Sequence, residues 1–150
     1  MAYFRRVVPP IKQSAAWTCW AAALSWWTQV VPGRTVQSQQ GLIDAYATDS
    51  DSGSLDAVTG WPPLANDLGL AYQVVAGSDL DPGQLESQLR DKGYIVLAYR
   101  RGANDSHAVV IYGVSDQNIN VMDPELGQFR WFTAGWLNAV PAVIVAWPSW

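Results

Sequence analysis

The spacing of hydrophobic positions changes once along the chain, near Gly93, from a helical period to that of a sheet. From Cys19 to Val31 the residues are apolar nearly all round and are followed by Pro32-Gly33, which predicts a buried central helix with a firm stop. Ahead of it, Val7 to Ile11 contains Pro9-Pro10 and reads as an extended lead-in that delivers Gln13 to the helix start. A second helix is predicted from Val36 to Tyr46, with Leu42, Ile43 and Tyr46 on one side. Pro62-Pro63 opens a short helix through Leu68 with Gly69 as its C-terminal cap, and Ala71 to Val75 reads as a strand. Asp81-Pro82-Gly83-Gln84 is a helix start with N-cap and first-turn proline, and Leu85 and Leu89 carry that helix to Lys92-Gly93. Beyond Gly93, strands are predicted at Tyr94 to Tyr99, His107 to Val114, Asn118 to Met122, Gln128 to Phe132 and Val143 to Trp147. Gly102-Ala103-Asn104-Asp105 and Ser115-Asp116-Gln117 are hairpin-like links between them. Helices followed by a mostly antiparallel sheet make an α+β domain whose early helix packs on the later sheet. With no repeat or linker in view, residues 1–150 are read as one domain.

Composition narrows the classes of function. A formal charge of −4 and a pI near 4.7 leave no basic face large enough for a nucleic acid backbone. The pairs Arg5-Arg6 and Arg100-Arg101 read as solvated. One cysteine excludes an internal disulfide and a cysteine-rich zinc site, and one histidine leaves little for a mixed metal cluster, so no cofactor or metal is expected. The apolar runs break within about a dozen residues, too short for a membrane span. Met1 to Lys12 has neither a long apolar run nor a small-residue cleavage site, so no signal peptide is expected; the chain reads as soluble, resident in the cytoplasm or exported by a specialised route. Asp49 to Ser54 is a polar surface loop that lacks the terminal glutamate of a calcium loop. Nine tryptophans offer large buried area, some for the core and some to line a groove.

Chemistry concentrates at three places. Cys19, the only cysteine, sits at the predicted first turn of the central helix, where unpaired backbone N–H groups and partial positive charge stabilise a thiolate. Its plain reading is a small buried hydrophobe. His107, the only histidine, opens a strand just after a polar loop, so that the sheet holds it while its ring reaches the edge; a structural histidine is the alternative. Asp123 ends the next strand, 16 residues on, and a hairpin of these strands brings it near the mouth of the strand that His107 opens. There its carboxylate is placed to accept the imidazole Nδ1–H, unless Asp123-Pro124 merely makes a turn.

Gln13, then Cys19-Trp20 opening a helix, His107-Ala108-Val109 opening a strand, and Val121-Met122-Asp123-Pro124 together resemble the papain-like cysteine peptidases. The compact bacterial branches, C39-like peptidases and AvrRpt2-type effector proteases, carry Gln, Cys, His and Asp in this order. The match to papain itself is incomplete, since Ala16-Trp17-Thr18 stands where papain has Cys-Gly-Ser/Ala; an Asp in place of Asn and a Cys19-to-His107 spacing of 88, shorter than in plant papains, are in line with the compact branches. The resemblance implies a papain-like fold and a cysteine peptidase cleaving peptide or amide bonds through a thioester. It makes Cys19 the nucleophile, His107 the proton carrier, Asp123 its orienter, and Gln13 an oxyanion donor beside the Cys19 N–H. Gln13 as an ordinary loop residue stays open. The implied partner is a peptide or protein substrate, with a cognate inhibitor or immunity protein as a second. Amidase, deamidase and acyltransferase activity use the same triad, and a Trp-rich binding module is the reading from another class.

Overall fold

A computed structural model of the chain describes residues 2–102 and 105–149. The central helix α1 (Cys19–Val30) forms as its sequence demands and is buried along its length except at Gln29. Burying tryptophan requires a partner for each indole N–H. Trp20 donates to the Gly53 carbonyl (2.9 Å), Trp26 to those of Val8 and Pro9 (3.2 Å each), and Trp27 to that of Tyr94 (3.1 Å). These bonds lash the helix to the acidic loop, the proline lead-in and the sheet. Helix α2 (Gln39–Tyr46) starts three residues later than the predicted Val36, because Ser38 caps it by accepting the Gly41 N–H (3.0 Å). Helix α3 (Trp61–Leu68) ends on Gly69 at φ 70°, the left-handed conformation that makes glycine the favoured cap.

The strands are β1 (Ala2–Phe4), β2 (Leu70–Val75), β3 (Ile95–Gly102), β4 (Asp105–Ser115), β5 (Asn118–Asp123), β6 (Gln128–Thr133) and β7 (Val143–Pro148). They pair antiparallel in the order β2-β7-β3-β4-β5-β6, with β1 beside the end of β4. Ala103 and Asn104, in the first predicted link, lie outside the described residues; the second link closes the β4–β5 hairpin as expected, with Ser115 opposite Asn118. β1 and α5 (Ala134–Asn138) escape the sequence reading because three and five residues are too few to display a period. Arg5 also corrects that reading. Rather than standing solvated, it donates to the carbonyls of Leu89 (2.7 Å) and Arg90 (3.1 Å) in the last turn of α4 (Pro82–Asp91).

Alternation along the strands gives the sheet two apolar faces. Val96, Ala108, Val110, Met122 and Ala146 pack with α1, α2 and α3. Ile95, Leu97, Val109, Ile111 and Val145 pack with Leu85 and Leu89 of α4 and Leu137 of α5. The result is an α+β fold with its early helices on a wholly antiparallel sheet and later helices behind it. The N-terminus of α1 comes to rest over the ends of β3 and β4, where the site lies.

Candidate active site

Cys19 is the first residue of α1, and the turn before it explains why that helix end stays open. Thr18 occupies the N-cap position but its side chain does not cap; Oγ1 instead accepts the Ala15 N–H (2.9 Å) and donates to the Ala15 carbonyl (3.1 Å). Its own carbonyl takes the N–H groups of Ala21 and Ala22, at 3.1 Å each. Among the described residues the N–H groups of Cys19 and Trp20 have no acceptor. A helix end left uncapped in this way presents donors and partial positive charge to whatever negative charge arrives. The Cys19 side chain, 5% exposed, lies with Sγ 3.9 Å from the carbonyl oxygen of Ser106, the residue before His107.

His107 is 2% exposed and paired across the ladder with Tyr99 of β3. Its Nε2 lies 2.7 Å from Asp123 Oδ1. The expectation that Asp123 meets Nδ1 is therefore corrected to the outer ring nitrogen. Pairing of β4 with β5 runs out at Val110 and Met122, so Asp123 leaves the ladder short of His107 and its carboxylate meets the far side of the ring. Nδ1 is the ring nitrogen that Asp123 leaves unengaged. Burial by itself lowers the imidazole's pKa, but hydrogen bonds with Asp123 and Cys19 and their charges overcome it and hold the group up at about 9. The Tyr99 ring stands edge-on to the imidazole (centroids 5.9 Å apart), and Trp136 of α5 packs on Tyr99 in turn (5.3 Å), closing one side against water.

Asp123 is 5% exposed and makes three contacts: His107 and the Glu125 N–H (3.0 Å) on Oδ1, and Arg130 Nη1 (3.1 Å) on Oδ2. Burial raises its pKa, while His107, the Glu125 amide and the Arg130 charge lower it, and the lowering wins. The turn and the contact with His107 are thus not rivals, since one carboxylate oxygen serves both. Glu125 Oε2 lies 3.9 Å from the same Nε2, and His107, Asp123 and Glu125 offer three metal-ligating atoms within 4.8 Å of one another. Of these three, Asp123 is already engaged on both oxygens, by His107 Nε2 on Oδ1 and by the Arg130 guanidinium on Oδ2.

Gln13 lies beside the site. Its backbone N–H donates to the Pro124 carbonyl (2.8 Å), tying its loop to the turn after Asp123. Its Nε2 donates to the carbonyls of Ala15 (3.0 Å) and Ala16 (3.3 Å), and its Oε1 is buried with no hydrogen-bond partner. Sequence reasoning missed two residues here. Gln39 of α2 grips both neighbours of Gln13, accepting the Ser14 N–H (2.6 Å) and donating to the Lys12 carbonyl (3.2 Å). Arg130 is the other, and a lone cation within Phe129-Arg130-Trp131-Phe132 was the one visible signal for it.

A cleft of about 640 Å³ opens at Cys19 and His107. Trp17, Trp20, Trp61, Leu55 and Val58 form its walls. Its floor includes Ala108, Ala98 and Ile144, neighbours across three adjacent strands. Two small side chains side by side leave the depth. The arrangement can bring an extended chain to a thiol, supply an acid and base from the imidazole, and offer backbone donors to a developing anion.

The family model for the papain-like cysteine protease AvrRpt2 matches residues 4–138. Among solved structures, the peptidase domain of Streptococcus ComA, a bifunctional ABC transporter involved in quorum sensing, superposes with a TM-score of 0.68 at 16% identity, over 93% of this chain and 98% of that one. A double glycine motif protease from an AMS/PCAT transporter, solved with its leader peptide, gives 0.62 at 17% identity over 99% of each chain. A C39-like peptidase of Bacillus anthracis gives 0.61 at 14% identity over 97% of each. No curated protein sequence matches the chain.

Proposed function

Because this chain belongs to the papain-like cysteine protease family of AvrRpt2, and is thereby a cysteine peptidase, we propose that Cys19, His107 and Asp123 are its catalytic triad and that it cleaves peptide bonds through a thioester. One observation carries this reading: residues 19, 107 and 123 converge, the imidazole lying 2.7 Å from the carboxylate and lining one cleft with Cys19, whose Sγ is 3.9 Å from the carbonyl oxygen of Ser106, the residue before His107. The Cys19 proton passes to His107 Nδ1, giving thiolate and imidazolium, and Asp123 stabilises the latter through Nε2–H. Sulfur attacks the scissile carbonyl carbon, and the oxyanion forms at the open end of α1, within reach of the Cys19 N–H. Gln13 Nε2 joins it by releasing its longer bond to Ala16. As the tetrahedral adduct collapses, the Nδ1 proton goes to the leaving amine and a thioester remains. Water then attacks with His107 as base, releasing the acid and restoring the thiol. The leader peptide bound by one structural neighbour supports a peptide as substrate.

The test is cleavage of a proteome-derived peptide library, read by mass spectrometry of new termini. Wild-type protein generates new termini, and Cys19→Ala or prior alkylation of the only cysteine removes them. Undiminished cleavage by Cys19→Ala overturns the reading. Loss of side-chain amides or transfer to amines without new termini would replace hydrolysis by deamidation or acyl transfer on the same triad.

A further inference from the structure

The Asp123 carboxylate is held from both sides. Oδ1 takes the His107 Nε2–H and the Glu125 N–H, whereas among the described residues only Arg130 donates to Oδ2, at 3.1 Å. Arg130 reaches it from β6, where it pairs with Val121, two residues before Asp123 on β5. A second carboxylate competes for the same ring nitrogen, with Glu125 Oε2 at 3.9 Å from Nε2. The imidazole turns toward whichever carboxylate receives its proton, and Nδ1 turns with it. Placement of the proton carrier against Cys19 therefore depends on which carboxylate prevails.

We propose that Arg130 is a positioning residue of this site: its guanidinium fixes the plane of the Asp123 carboxylate, so that Asp123 rather than Glu125 takes the Nε2–H and Nδ1 stays directed at Cys19. The inference rests on the triad reading above. A planar, permanently charged guanidinium suits the task because the direction of its Nη1–H bond to Oδ2 is fixed by the plane of the group, which a rotating ammonium lacks. Arg130 is half exposed, so the ion pair adds little to folding stability and its effect is felt at the site. The groups facing His107 are Cys19 from α1, Asp123 from β5 with Arg130 of β6 behind it, Glu125 from the turn after β5, and Tyr99 from β3; Arg100 of β3 lines the same cleft.

Two effects of removing Arg130 have opposite signs. Losing a cation that draws on the same carboxylate leaves Asp123 freer to attract the imidazolium and raises the imidazole's pKa. Losing the orientation breaks the hydrogen bond and lowers it toward the ordinary value of about 6.5. With one histidine and one cysteine in the chain, both readouts are specific without further labelling. Nitrogen-15 NMR of histidine-labelled protein follows His107, and iodoacetamide alkylation follows Cys19. In Arg130→Met the His107 pKa falls by about one unit or more, and alkylation of Cys19 at pH 6 slows roughly tenfold. Arg130→Lys, which keeps the charge without the fork, falls part of the way. An unchanged or raised His107 pKa in Arg130→Met overturns the proposal, and should that variant not fold, the same result in Arg130→Lys does so. Cleavage that survives Cys19→Ala would instead sink the triad reading, and the NMR result would still report the geometry around His107.

Discussion

His107 keeps its proton in the folded protein up to about pH 9 because Asp123 and Cys19 outweigh the desolvation of the ring. An unfolded histidine releases that proton near pH 6.5. Between these values the folded state binds a proton that the unfolded state lacks, so its stabilisation is complete below about pH 6.5 and is lost as pH rises through 9. The gap sets an upper bound on the order of 3 kcal/mol, shared with Asp123. Asp123 behaves oppositely: its lowered pKa makes its contribution present above the ordinary carboxylate range and lost on acidification. Urea unfolding of the wild type should therefore show its highest midpoint between about pH 4 and 6.5 and decline toward pH 9. In His107→Gln the alkaline decline should be absent, and an identical decline there would show that another group is responsible.

At the scale of elements, the loop before α1 is tethered from two sides. Gln39 of α2 bonds the peptide groups on either side of Gln13, and Pro124 accepts the Gln13 N–H, so one loop is braced by a helix and by the turn that follows Asp123. The two Gln39 bonds lie at an exposed surface, where their loss costs little stability. With Gln13 in the proposed role of oxyanion donor, Gln39→Ala should lower kcat about tenfold with KM within threefold. Alkylation of Cys19 should be unchanged, since the thiol is set by α1 and β4. Gln39→Glu, which keeps the acceptor for Ser14 and loses the donor to Lys12, should fall between.

Across the whole molecule, the cleft exists because three strands present Ala108, Ala98 and Ile144 side by side beneath the tryptophan walls. The same faces are filled with Val96, Val110 and Ala146 further along, under α1. Ala98→Phe should fill the floor and lower kcat/KM for peptide substrates by at least about tenfold. Alkylation by iodoacetamide, a reagent small enough to reach Sγ past the ring, should stay within about twofold. Equal loss of both would mean that Ala98 supports the site instead of shaping the cleft.

The helix starts and stops, the switch of period at Gly93, and the order Gln13, Cys19, His107, Asp123 were legible in the letters, because caps, prolines, glycines and apolar periods act over a few residues. Local rules also placed Cys19 at a helix N-terminus, where it lies. Only the tertiary structure decided which ring nitrogen meets Asp123, that Arg130 pairs with Asp123 and Gln39 braces the loop of Gln13, that Arg5 closes α4, and that two alanines open a cleft. Those outcomes follow from the register of β4, β5 and β6 and from the depth at which α1 rests on the sheet, quantities set by packing between residues far apart along the chain and written in no local pattern.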